Sequence, residues 1–95
     1  MTGPLPGLRC VIAWSDRRNL CSIVGEQLRS IVPEADLRRI GDDAYLAYSA
    51  LSADELRNRL RPTLAVDEGL LVIDFERWSG YGEALDRRWL LGRGH

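Results

Sequence analysis

The chain has 95 residues, 45% of them hydrophobic and 28% charged, with a formal net charge of −1. That length fits one domain, since domains run to roughly 100–200 residues, and a chain of this size buries only about 60–65% of its unfolded surface, enough for one shallow core. The apolar runs are too short for a transmembrane helix, the near-zero charge and high aliphatic content argue against a disordered chain, and no basic segment followed by an apolar one opens the chain, so no secretory leader is expected.

Residues 1–7 hold two Pro and two Gly and read as an irregular lead-in. Leu8 to Trp14 is a short apolar run with Val11, Ile12 and Trp14, which predicts a buried strand. Ser15 or Asp16 is placed to cap a following helix. Leu20, Ile23, Val24, Leu28 and Ile31 recur at helical spacing with Arg17, Arg18, Glu26 and Arg29 largely on the other face, an amphipathic helix of about four turns. Pro33 ends it. Ala35 to Ile40 and Ala44 to Ala50 read as two strands joined by the turn Gly41-Asp42-Asp43, a β-hairpin.

Ser52-Ala53-Asp54-Glu55 matches a capping box, opening a helix with Leu56 and Leu60 inside and Arg57, Arg59 and Arg61 mostly outside. Pro62 stops it. Leu70 to Phe75 is the most apolar strand, which predicts a central place in the sheet. Leu71, Ile73 and Phe75 point one way along it; Leu70, Val72, Asp74 and Glu76 point the other. Glu83 to Leu91 reads as a short helix and residues 92–95 as a frayed tail. Residues 8–91 therefore form one α+β domain. Its order, β-α-β-β-α-β and a terminal helix, predicts a ferredoxin-like antiparallel sheet with helices on one face.

All 13 basic side chains are Arg, with no Lys. Fourteen acids nearly cancel them, so long-range attraction to nucleic acid is weak. Arg17, Arg18, Arg38 and Arg39 are the candidates for a local phosphate-binding patch if the fold assembles them; a solvated surface is the alternative. The lone His is His95, so a Ser-His-Asp triad, a Cys-His dyad and a zinc site built on imidazoles lack their central residue. Cys10 and Cys21 match neither a redox motif nor half of a zinc site and read as buried, reduced thiols of a cytoplasmic protein. Among the large aromatics, Trp14 reads as core, whereas Trp78, Tyr81 and Trp89 are candidates for an interface or for wrapping the C-terminal helix onto the sheet. Asp74 and Glu76 share a face; such a pair can hold a metal or do acid–base work, but without a third ligand it reads as salt-bridge partners of Arg77, Arg38 or Arg39. Asp16 is either a helix cap or a carboxylate for Mg²⁺.

The stretch SADELRNRLRP … DEGLLVI, within residues 44–76, resembles the SinR-like family of the CRISPR-associated protein two superfamily. The resemblance implies a ferredoxin-like fold and a homodimer that partners a spacer integrase. It also implies a Tyr-Asp pair at the end of the first strand, where two Asp of a dimer bind one divalent ion in the nucleases of the superfamily. The matching pair here is Trp14-Ser15, with Asp16 one residue later. Such a slip turns a side chain to the opposite face of a strand, unless the strand has already ended. The sequence thus points first to a homodimeric binding or assembly module with a possible protein partner and no membrane role. A DNA- or RNA-binding protein, or an Mg²⁺-dependent endonuclease using Asp16 as its catalytic and metal-binding residue, are the alternatives.

Overall fold

The computed structural model describes residues 6–82 and 85–93. Residues 1–5 of the expected lead-in, Glu83 and Ala84 at the start of the expected C-terminal helix, and residues 94–95 of the expected tail therefore lie outside the described residues. The first strand, β1 (Gly7–Trp14), leads through an irregular segment into helix α1 (Leu20–Ile31). The hairpin is β2 (Leu37–Ile40) and β3 (Ala44–Ser49), and helix α2 (Ala53–Leu60), strand β4 (Gly69–Phe75) and helix α3 (Arg87–Gly92) complete an α+β domain. None of the described helices is long and apolar enough to cross a membrane.

Both helix starts follow from local hydrogen bonding. In α2 the capping box forms in both directions: Ser52 Oγ accepts from the Glu55 N–H at 3.2 Å, and Glu55 Oε1 accepts from the Ser52 N–H at 3.3 Å. Helix α1 begins later than the sequence suggests. Its cap is Asn19, whose Oδ1 accepts from the Ser22 N–H at 3.2 Å. Ser15, one of the two expected caps, accepts instead from the Arg17 N–H within the preceding bend, and α1 has 12 residues, a little over three turns. At its other end the Val32 N–H closes on Leu28 O at 2.7 Å before Pro33. The expected strand from Ala35 is shortened because residues 34–36 form a 3-10 turn.

All strand pairs are antiparallel, in the order β2-β3-β1-β4. Strands β1 and β2 thus run the same way with β3 between them, and β3 and β4 run the same way with β1 between them. β4 is an edge strand, contrary to the central place its apolar run predicts. Helices α1 and α2 cover one face: Val11, Ala13, Leu37, Tyr45 and Ala47 from the sheet pack with Leu20, Val24, Leu28, Leu56 and Leu60 from the helices. Gly25 lies where α1 crosses Tyr45, and a Cβ there would sit 2.1 Å from the Tyr45 hydroxyl. Only glycine allows that approach.

The second face is divided. Helix α3 covers one half of it, building a small cluster from Leu8, Leu46, Trp89 and Leu90, with Cys10, Ile40, Tyr48, Phe75, Trp78 and Leu85 at its margin. Among the described residues, the half formed by the C-terminal part of β1 and by β4 has no such cover.

Candidate functional site

The open half of the second face is built by strand alternation. The register pairs Trp14 with Gly69, Ile12 with Leu71 and Cys10 with Ile73, so these side chains share one face. Trp14 is 54% exposed, Leu71 47% and Ile73 40%. The indole of Trp14 lies across Gly69, where an added Cβ would meet ring atoms at 2.1–2.4 Å. A small residue at the start of β4 therefore lets the Trp14 ring lie flat on the sheet and widens the apolar strip. Trp14, which the sequence suggests as core, is instead the largest member of this surface. The hydrophobicity of β1 gave no sign of it, because the missing cover is a tertiary property.

The other aromatics divide. Trp89 is only 6% exposed, and its Nε1 donates to Ala35 O at 2.7 Å. Its ring is used within the chain, so it is not available to a partner. Trp78 is half-buried at the margin of the α3 cluster, and its buried Nε1 has no hydrogen-bond partner among the described residues. Tyr81 is fully exposed in the segment joining β4 to α3.

The four arginines named as a phosphate-binding patch do not come together. Arg17 pairs with Asp67, and Arg18 with Glu68, beside the turn that leads into β4. Arg38 and Arg39 stand on β2, the far edge of the sheet, and as neighbours in a strand they point to opposite faces. Arg38 Nε donates to Asp86 at 3.2 Å and its guanidinium lies 5.6 Å from the Trp89 ring. Arg39 Nε donates to Gly41 O at 2.9 Å and lies 5.7 Å from the Tyr45 ring. Three of the four thus carry an acidic partner, and all four hold the chain to itself.

The Arg18–Glu68 contact carries the most hydrogen bonds of these. Arg18 Nε donates to Glu68 at 2.6 Å, Arg18 also donates to Thr63 O at 2.9 Å, and Glu68 accepts from the Ala65 N–H at 2.7 Å. The Arg18 hydrogen bonds first, and the Ala65 N–H second, hold the Glu68 carboxyl down to about 2. Asp86 caps α3 by accepting from the Trp89 N–H at 3.0 Å. That bond, with Arg38, lowers its pKa.

Asp16 is exposed in the bend between β1 and α1. It is absent from the residues lining the shallow depression beside it, among them Trp14, Ser15, Cys21, Asp42 and Asp43. Among the described residues no group of three or more His, Cys, Asp or Glu side chains is placed to hold a metal ion. Asp74 does form an ion pair, but with Arg9 and not with the arginines expected. The two are cross-strand neighbours, 2.7 Å apart, and Arg9, 8% exposed, also donates to Leu51 O at 3.0 Å. An arginine in the middle of an apolar strand was the available signal for this pair. Cys10 and Cys21 are free thiols, both pushed up by burial, so neither is an activated nucleophile.

No family model matches the chain, and no curated protein or solved structure matches it either.

Proposed function

We propose that this chain is a small ferredoxin-like binding or assembly module, a homodimer in its working form, that associates through the open half of its sheet. The single observation that carries the reading is the contiguous strip of Trp14, Leu71 and Ile73, each at least 40% exposed on one face. Solvent-facing clusters of large apolar side chains mark protein–protein contact surfaces, and Trp is enriched in the cores of such contacts. The ferredoxin-like assignment is supported by the two crossovers, each of which straddles one strand. The resemblance of residues 44–76 to the SinR-like family accords with a dimeric role. Free Cys10 and Cys21 accord with a cytoplasmic setting.

Light scattering on the purified chain over a wide concentration range tests the reading. The expected mass rises toward twice 10.7 kDa, and Ile73→Lys holds it at the monomer without lowering the melting temperature. A monomer at every concentration overturns the homodimer.

A further inference from the structure

The two edges of the sheet are built differently. β2 is four residues long, carries Arg38 and Arg39, and follows Pro33 and a 3-10 turn. Short length, charge and a nearby Pro are the devices that keep an edge strand from pairing with another chain. β4 has seven residues, Gly-Leu-Leu-Val-Ile-Asp-Phe, and one charge, Asp74, already bound to Arg9 on the helix face. Nor does it contain a Pro. Its continuous apolar run is the pattern of an interior strand, yet among the described residues its one sheet partner is β1.

We propose that β4 pairs antiparallel with β4 of a second copy about a two-fold axis at Val72, joining the two four-stranded sheets into one. The inference rests on the assembly reading above and names its partner and register. A two-fold axis perpendicular to the sheet keeps the helix faces on one side and the open faces on the other. Residues of like parity must then face each other. The register centred on Val72 is the one that uses all seven residues of the strand. It sets Leu71 opposite the partner's Ile73 on the open face and Leu70 opposite the partner's Asp74 on the helix face, with no like charges opposed. Moving the centre by two residues toward the C-terminus sets Asp74 against its own copy. In the Val72 register the flanks of Leu71 and Ile73 become cross-strand pairs, the contacts that stabilise a sheet, and β4 becomes the interior strand its sequence describes.

The register is tested by charge complementation. Leu71→Asp and Ile73→Arg are made separately in the full chain, checked for folding by circular dichroism, and studied by sedimentation equilibrium alone and mixed. Each variant alone is expected to self-associate about tenfold or more weakly than the parent. The equimolar mixture recovers association, because Asp at 71 of one copy then faces Arg at 73 of the other. Amide exchange of the parent gives a readout free of variants: protection of β4 that grows with concentration supports the pairing. A parent that dimerises while the mixture stays as weak as the single variants overturns the β4 register and leaves the assembly reading standing. A parent that stays monomeric overturns both.

Discussion

The two halves of the second sheet face use similar residues to opposite ends. Under α3, the aromatic and aliphatic side chains Trp89, Leu90, Leu8 and Leu46 are at most 6% exposed. Across the middle of the sheet, Trp14, Leu71 and Ile73 are at least 40% exposed. Composition does not distinguish the halves; cover does. The covered half carries a dedicated clasp: Asp86 caps α3 and pairs with Arg38, Trp89 Nε1 binds Ala35 O, and Arg93 reaches Asp36 at 3.0 Å while lying 5.1 Å from the Trp89 ring. Among the described residues, the open half has no comparable intramolecular anchor. Six helical residues bury one half, and among the described residues nothing comparable lies over the other.

The sharpest way to break this comparison is to truncate one tryptophan on each side. Trp89→Ala removes a buried ring and its hydrogen bond and is expected to cost about 3–5 kcal/mol in urea unfolding. Trp14→Ala is expected to cost only about 0.5–1 kcal/mol, as for a surface side chain. Equal costs would mean that Trp14 is core after all. A gentler probe adds one carbon. Gly25→Ala drives a Cβ into the buried Tyr45 ring and is expected to destabilise by about 1–3 kcal/mol, although Ala is the better helix former by about 1 kcal/mol. Gly69→Ala meets the Trp14 indole at a similar distance, but that ring can swing into solvent, so the cost is expected to stay below about 1 kcal/mol. Arg38→Ala, which removes an exposed ion pair and a cation–π contact from the clasp, is expected to lower stability by about 0.5–1 kcal/mol, and less at high salt.

Much of the fold was legible in the chain. The alternation of β1, the hairpin turn at Gly41-Asp42-Asp43, the capping box at Ser52 and the directions of Leu71 and Ile73 on β4 follow from local rules, and the structure has them. What local rules could not supply was place. β4 reads as interior by composition and lies at an edge, because the order of strands is set by crossovers and not by the strand's own residues. Trp14 reads as buried because hydrophobicity predicts cover without naming what covers it. The arginines were the least legible: Arg17, Arg18 and Arg38 stand next to their acids only in three dimensions, across 48 to 50 residues of chain.

The smallest effect concerns pH. The Glu68 carboxyl lies lower in the fold than in the unfolded chain, so its contribution is complete above the ordinary carboxylate value of 4.5 and is lost as pH falls toward about 2. Glu68→Gln is expected to flatten that acid limb in melting temperatures measured from pH 5 to 2. An unchanged limb would place the acid sensitivity at other carboxylates. This contact lies in the turn before β4 and holds the strand's start, so it fixes the open half without covering it.

The most direct measurement is amide hydrogen exchange of the full chain at several concentrations, read strand by strand. The account predicts that β4 amides become more protected as concentration rises, while those of β2, the short edge carrying Arg38 and Arg39, do not change. Exchange in β4 that is as fast at high concentration as at low, in step with β2, would contradict it.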